Sequence, residues 1–144
     1  MYNQNNNLFM KKIIFCLIAC LSIAFVFTSC EKEEESFDES LLIGEWVGTE
    51  YFSTDTQNPY HEVHYKYFND KSGYTWDVTD DVLEDEAQPF TWTLVKSDLT
   101  QIHIMGGGQE LPKYYTVTEL TETTLKYEDR VANPVKKFTY TKVN

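Results

Sequence analysis

The sequence contains three histidines, and histidine is the side chain most often used as a metal ligand or a general base. His61 and His64 are three residues apart in a segment that we predict to be a strand, so their side chains should face opposite sides. A zinc protease motif needs two histidines four residues apart on a helix, which this pair does not offer. His103 lies between Ile102 and Ile104, and we expect the isoleucines to face the core and His103 to face solvent. The histidines therefore predict no metal site.

Six carboxylates are concentrated in the segment 77–86, which we predict to be the longest loop: Asp77, Asp80, Asp81, Glu84, Asp85 and Glu86. Oxygen-rich loops of this kind bind calcium when the spacing of the ligands suits the ion. The spacing of an EF-hand and the glycine of its sharp turn are both missing. A solvated acidic loop is the favoured interpretation, and a calcium site is the alternative.

No residue pattern typical of an enzyme is present in the sequence. The Gly-x-Ser-x-Gly nucleophile elbow does not occur, and the glycine run 106–108 is not followed by the Lys-Ser or Lys-Thr of a phosphate-binding loop. The chain carries 12 Lys+Arg against 23 Asp+Glu, a formal charge of −11. Because phosphate recognition needs a basic surface, this charge argues against nucleic-acid binding. We predict a protein without catalytic activity, cofactor or nucleic-acid partner.

The N-terminus has the features of a secretion signal. Lys11 and Lys12 precede an apolar run over residues 13–27, which as a helix would span only about 22 Å of the ~30 Å bilayer core. A short basic stretch before a short apolar run is typical of a signal peptide. The tetrapeptide Phe-Thr-Ser-Cys at 27–30 resembles a bacterial lipobox, in which the cysteine receives lipid. We predict that residues 1–29 are removed and that Cys30 is lipidated; an ordinary cleavage site with an incidental cysteine is the alternative.

The positions of the other cysteines and of an internal methionine fit this interpretation. Cys16 and Cys20 lie in the apolar run and Cys30 ends the lipobox, so the predicted mature chain has no free thiol and no disulfide. Cysteine-based zinc sites are excluded by the same count. Met10 directly precedes the two lysines, and our hypothesis is that translation starts there rather than at Met1.

The residues that follow Cys30 are strongly acidic. Lys32 is the single base among the acids of this stretch: Glu31, Glu33, Glu34, Glu35, Asp38 and Glu39. Like charges extend a chain, so we predict that residues 30–40 form a solvated tether. An acidic run directly after a lipidated cysteine also resembles the export signal of some Gram-negative surface lipoproteins. We expect an outer-membrane, lipid-anchored protein at the cell surface, with a periplasm-facing anchor as the alternative.

Residues 41–144 have the composition of one all-β domain. Thr, Val, Tyr, Phe and Trp dominate, turn signals recur at short intervals, and no stretch sustains a helical apolar stripe over three turns. Asn58-Pro59 and Asn133-Pro134 are two of the predicted turns. We predict eight strands, at about 44–53, 60–69, 73–79, 89–96, 99–105, 112–119, 123–130 and 135–143.

Alternation along each strand assigns one side to a common interior. In the last five predicted strands the inward residues are Phe90, Trp92 and Leu94, then Ile102 and Ile104, Tyr115 and Val117, Leu125 and Tyr127, and Phe138 and Tyr140. In the second strand Val63, Tyr65 and Tyr67 share one face while Phe68 lies on the other, and a β-bulge would reconcile them.

Eight short strands joined by short turns favour an antiparallel meander. Closing that sheet removes two unpaired edges that would otherwise invite aggregation. A small eight-stranded up-and-down barrel is the simplest closed arrangement, and a two-sheet β-sandwich is the alternative.

The first and last predicted strands carry motifs. Gly44-x-Trp46 opens the first strand, and Phe-Thr-Tyr-Thr-Lys-Val at 138–143 forms the last. Together they resemble the lipocalin-like domains of small bacterial lipoproteins, over the whole predicted domain. The resemblance implies a barrel with one end closed by Trp46, which would lie under a basic side chain from near the C-terminus. Arg130 and Lys142 are the candidates for that side chain.

The interior of a barrel this small is filled by its own side chains or holds one small ligand. In one hypothesis a small apolar or aromatic molecule binds inside, lined by Trp76, Phe90, Trp92, Tyr115, Tyr127 and Tyr140. In the other, the barrel is fully packed, and its acidic surface binds a basic protein or its exposed aromatic residues bind a glycan. We expect a monomer in either case.

Overall fold

Alternating apolar and polar residues build eight strands in the computed structural model of the protein, which describes residues 35–143. The predicted signal peptide, the predicted lipidation at Cys30, the proposed start at Met10 and residues 31–34 of the predicted tether lie outside the described residues. In the described part of the chain, no helix is long and apolar enough to cross a bilayer.

All eight predicted strands are present, and each begins and ends within two residues of its predicted bounds. The strands are β1 Gly44–Tyr51, β2 Tyr60–Tyr67, β3 Ser72–Asp77, β4 Gln88–Val95, β5 Asp98–Ile104, β6 Glu110–Leu120, β7 Thr124–Asp129 and β8 Lys137–Lys142. Four short 3-10 helices accompany them in residues 35–143: Glu39–Leu42, Val78–Asp80, Glu84–Glu86 and Gly106–Gly108.

The strands form a closed barrel in which each pairs antiparallel with the next and β8 pairs with β1. At the closing seam Trp46 lies opposite Lys142 and Gly48 lies opposite Tyr140. A Cβ at Gly48 would be 2.5 Å from Tyr140 Cδ1, so glycine lets the Tyr140 ring cross this seam. The predicted up-and-down barrel is confirmed, because a sandwich would leave the seam between β1 and β8 open.

One end of the barrel is closed by the 3-10 helix Glu39–Leu42. Leu42 is fully buried, and its carbonyl oxygen accepts a hydrogen bond of 2.8 Å from Trp46 Nε1. Trp46 is itself fully buried. We call this the closed end. The chain reaches it from Phe37, whose N–H donates to the Lys96 carbonyl, so the last part of the predicted tether belongs to the folded barrel.

Lys142 is the basic residue over Trp46. Its Nζ lies 5.0 Å from the centre of the Trp46 ring and donates to the Leu41 carbonyl at 2.9 Å. Arg130 instead lies over Tyr114 and pairs with Asp98. Gly44 has a φ of 123°, and a Cβ there would be 2.8 Å from Lys142 Cε, which explains the glycine of the Gly-x-Trp motif.

The inward face of β5 differs from the prediction. Leu99, Gln101 and His103 are buried and face the interior, whereas Ile102 and Ile104 are half-buried on the outer side. The prediction that His103 faces solvent was therefore wrong. The fully buried Leu99 fits the apolar closed end, and once it faces inward, alternation places the other two inside as well.

The bulge predicted in β2 is also wrong. β2 pairs with β1 in unbroken register up to Tyr67, and Phe68 lies just beyond the strand with its ring against Tyr74. The register shift lies in β6, between Val117 and Glu119.

The four segments 52–59, 78–87, 105–109 and 130–136 connect strands at the end opposite Trp46. We call this the loop end. It contains the acidic segment that the sequence singles out.

Candidate functional site

The side chains inside the barrel change from apolar to polar along its axis. The closed end is filled by apolar residues, among them Leu42, Trp46, Leu94, Leu99 and Leu125. Toward the loop end the inward positions carry polar groups, which we call the polar cluster: Glu50, Tyr65, Tyr67, Gln101, His103, Lys113, Tyr115, Tyr127 and Tyr140. Groups of this kind inside a barrel give a bound molecule its orientation.

One hydrogen-bonded chain in the polar cluster ends at a carboxylate. The Tyr127 hydroxyl donates to the Tyr140 hydroxyl at 3.0 Å, and Tyr140 donates to Glu50 Oε1 at 2.6 Å. The three residues come from β7, β8 and β1, which are neighbours around the barrel. The closing seam therefore brings a negative charge into the interior and orients two hydroxyls toward it.

A second chain crosses the opposite wall. His103 Nε2 lies 3.0 Å from Gln101 Oε1, and Gln101 Nε2 donates to the Tyr67 hydroxyl at 2.6 Å. Burial, followed by the charge of Lys113, lowers the pKa of His103 to about 3, so the imidazole is neutral at physiological pH. Both ring nitrogens face amide oxygens, since Nδ1 also lies 3.4 Å from Gln88 Oε1, and the neutral ring can donate to only one of the two.

Burial raises the pKa of every tyrosine in the polar cluster above its ordinary value. The negative charge of Glu50 adds to this pKa shift for four of them, Tyr65, Tyr67, Tyr115 and Tyr140. These hydroxyls therefore stay neutral and remain able to donate hydrogen bonds at physiological pH.

Lys113 is the cation of the polar cluster, and its ammonium has no hydrogen-bond or ion-pair partner among residues 35–143. It lies opposite the inward Gln101 and on the same side of β6 as Tyr115. Burial lowers the pKa of Lys113, and the charges of Glu50 and Asp129 partly offset this effect. Within residues 35–143, no hydrogen bond or ion pair forms at its Nζ. A half-buried cation without a partner is a ready donor to a ligand.

Five of the six aromatic residues predicted to line a ligand site lie inside the barrel. Tyr127 has its ring centre 4.4 Å from that of Tyr115 and 5.3 Å from that of Tyr140. Phe90 packs edge-on against Tyr67, as does Trp92, whose Nε1 also donates to the Ser72 carbonyl. These rings pack against one another and against the polar cluster.

Trp76 is the exception. It alternates with the inward Thr75 and Asp77 on β3, and its ring stacks on His64 at 4.9 Å. Both residues lie on the outer face, so Trp76 does not line the interior with the other five.

Sequence reasoning missed the charged and amide members of the polar cluster. Glu50 has the same parity as Trp46 on β1, and Lys113 has the same parity as Tyr115 on β6, so alternation alone could have found both. Gln101 was missed with His103, because two isoleucines were favoured as the inward residues of β5.

The histidines of β2 face opposite sides, as their spacing predicts. His61 is buried on the inner side at the loop end, and His64 lies on the outer face. The structure brings His61 next to Asp77 and Asp80, two members of the acidic segment that the sequence treats separately from the histidines.

An open groove of about 550 Å³ lies on the outside of the barrel across the closing seam. Its lining is mostly polar: Val47, Gly48, Thr49, Glu62, Lys137, Thr139 and Thr141. None of the residues predicted to bind a ligand contributes to it.

One comparison with known proteins gives a match. The lipocalin-like domain family matches residues 42–127, which include the closing Trp46, the strands β1 to β6 and the first four residues of β7. No curated protein matches the chain, and no solved structure matches it.

Proposed function

Because the chain belongs to the lipocalin-like domain family, we propose that it is a binding protein that holds one small molecule at the loop end of its barrel. Members of the family are generally non-catalytic binding proteins. In this proposal the polar cluster recognises the ligand, and the protein has no enzymatic activity. The closed end serves as packed core.

Lys113 is the observation that carries this proposal. Its ammonium faces the interior and makes no ion pair with any residue in 35–143, although Glu50 and Asp129 are near enough to influence its pKa. Six other members of the cluster are connected by hydrogen bonds, in the two chains that end at Glu50 and at Tyr67. A ligand group that accepts hydrogen bonds would supply the partner that Lys113 lacks.

The composition of the cluster favours one class of ligand. Glu50 uses one oxygen to accept from Tyr140, which leaves its other oxygen available to a donor. The rings of Tyr115, Tyr127 and Phe138 contact one another beside these charges. We propose a small molecule with an aromatic or other flat body and a polar head that accepts from Lys113. This narrows the small apolar ligand that the sequence predicts.

A fluorescent probe of this class tests the proposal. Anilinonaphthalene sulfonate has an aromatic body and an anionic head, and its emission rises when it is bound. We expect it to bind the barrel at one site, and we expect Lys113→Met to weaken that binding about tenfold to a hundredfold, since one charged hydrogen bond contributes about 1.5–3 kcal/mol.

Lys126→Met is the matched control for this experiment. Lys126 lies on the next strand but on the outer face, where it pairs with Glu119 at 2.7 Å. Binding of the probe should be unchanged in this variant. Equal binding by wild type and Lys113→Met, with near-ultraviolet circular dichroism retained in both, would overturn the proposed site.

We also propose that lipid on Cys30 anchors the barrel to the outer membrane and that the acidic residues after it direct it to the cell surface. The signal-like residues 1–29 and the lipobox support the anchor. Metabolic labelling with palmitate tests it: the wild type should be labelled and Cys30→Ala should not. If the protein is exposed at the cell surface, protease added to intact cells should cleave it.

A further inference from the structure

His61 is surrounded by carboxylates at the loop end of the barrel. It is buried, with 4% of its surface exposed. Its Nδ1 lies 2.6 Å from Asp77 Oδ2 and 3.8 Å from Asp80 Oδ1, and its Nε2 lies 3.3 Å from Asp55 Oδ2. Two carboxylates thus converge on one nitrogen of the ring, and a third faces the other nitrogen.

The backbone holds two of these carboxylates in place. Asp77 Oδ1 accepts from the N–H groups of Thr79 and Asp80, which leaves Oδ2 directed at His61. Asp55 Oδ1 accepts from the N–H groups of Gln57 and Asn58, which leaves its Oδ2 for the same ring. The donor atoms around His61 are therefore positioned by turns that do not depend on the histidine.

Hydrogen bonding does not account for Asp80. A single Nδ1–H needs one acceptor, and Asp77 already supplies it. The Asp80 oxygen at 3.8 Å is beyond hydrogen-bond distance and pairs with the ring only as an ion pair when His61 is protonated. A divalent cation in place of that proton would balance both charges.

We propose that His61 Nδ1, Asp77 and Asp80 bind a divalent transition-metal ion of the Zn²⁺ class, with water completing its coordination. The three ligand atoms all lie within 4.8 Å of one another. Metal binding would replace the proton of the 2.6 Å hydrogen bond between Nδ1 and Asp77 and would move these two atoms apart, so that each lies at the ~2.0–2.2 Å that Zn²⁺ prefers. An imidazole ligand favours such an ion over Ca²⁺ and Mg²⁺, which take oxygen ligands.

Asp55 is placed to support His61 as a metal ligand. Metal-bound histidines commonly donate the N–H of their other nitrogen to a carboxylate, which fixes the tautomer and the orientation of the ring. Asp55 Oδ2 lies where it would accept that proton from Nε2. With the metal bound, Asp55 in segment 52–59 and Asp80 in segment 78–87 would be linked through one ring, which joins two of the four loops at the loop end.

His64 provides an internal comparison. It too lies between two carboxylates, with Glu45 Oε1 2.9 Å from Nδ1 and Glu62 Oε1 3.3 Å from Nε2. Each nitrogen of His64 faces a single carboxylate, so the two oxygens lie on opposite sides of the ring and cannot share one ion with it. His64 is therefore the matched control for the proposed site.

The experiment is a calorimetric titration of the untagged barrel, residues 34–144, with Zn²⁺. A second titration with Co²⁺, followed by visible absorption, identifies the type of ligand from the cobalt absorption bands. This piece contains every strand and the whole core cluster, and therefore has what a domain needs to fold by itself. We expect one ion per chain, with Asp80→Asn weakening binding at least tenfold. Asp80 is exposed, so its variant should keep the melting temperature of the metal-free protein.

Two further variants complete the test. His61→Gln should abolish binding, and His64→Gln should leave the affinity within twofold of wild type. The proposal is overturned if millimolar Zn²⁺ gives no saturable binding, if Asp80→Asn binds as wild type does, or if His64→Gln weakens binding as much as His61→Gln. Tighter binding of Ca²⁺ than of Zn²⁺ would equally overturn the assignment of the ion.

Discussion

Polar side chains inside the barrel are tolerated because they hydrogen bond to one another. Gln101 and His103 are almost fully buried, and each has a partner within the polar cluster. Burying an amide or imidazole without such partners costs several kcal/mol, roughly 2–7 by transfer measurements. Lys113 is the group for which this pairing is missing, which is why we assign ligand binding to it.

The low pKa of His103 predicts how stability depends on pH. In the unfolded chain the imidazole binds a proton near its ordinary pKa of 6.5, whereas in the folded barrel burial prevents this down to about 3. Within that window the unfolded state binds more protons, so the free energy of unfolding falls as the pH is lowered. The slope from this one group approaches about 1.4 kcal/mol per pH unit.

Urea unfolding at a series of pH values measures this effect. His103→Gln keeps a polar side chain at the position but removes the titration, so its stability should fall less steeply between pH 6.5 and pH 3 than that of wild type. Parallel slopes in the two proteins would contradict the prediction.

At the scale of elements, the short 3-10 helix Glu39–Leu42 acts as a plug for the closed end. It is held from three sides: Asp38 caps it by accepting from the Ser40 N–H, Trp46 donates to the Leu42 carbonyl, and Lys142 donates to the Leu41 carbonyl. Side chains from β1 and β8, the two strands that meet at the closing seam, thus hold this helix in place. Pairing of β1 with β8 and closure of the barrel end therefore depend on each other.

Leu42→Ala should therefore be strongly destabilising. The side chain is fully buried among the apolar residues of the closed end, and its removal leaves a cavity there. We expect a loss of about 2–5 kcal/mol in the free energy of unfolding, measured by chemical denaturation. Leu41→Ala, at a half-buried position in the same helix, should cost clearly less. Equal losses for the two variants would argue against a plug.

At the scale of the whole molecule, the described chain begins near the closed end, whereas most of the polar cluster lies toward the loop end. The chain enters the described structure at Glu35 and joins the closed end at Phe37. Four residues lie between Cys30 and Glu35, so the link of five Cα–Cα steps spans at most about 18 Å. If Cys30 carries the lipid, the closed end faces the bilayer and the loop end faces away from it, open to ligands and metal ions from outside.

Lipid quenching of a fluorescent dye tests this orientation. The dye is attached to Thr123→Cys in the turn between β6 and β7 at the closed end, or to Gly107→Cys at the loop end; both positions are exposed. In vesicles carrying the acylated protein, a headgroup-linked quencher should dim the dye at position 123 more than the dye at position 107. The opposite order would place the loop end toward the membrane.

The sequence by itself determined the eight strands, their inward faces in most cases, and the barrel, because alternation and turn chemistry are local properties. It also placed five of the six aromatic residues inside. Tertiary structure alone decided which face of β5 is buried, which base covers Trp46, and that His61 meets Asp77 and Asp80. These depend on register and closure, which bring together residues from distant parts of the chain, and no local period encodes them.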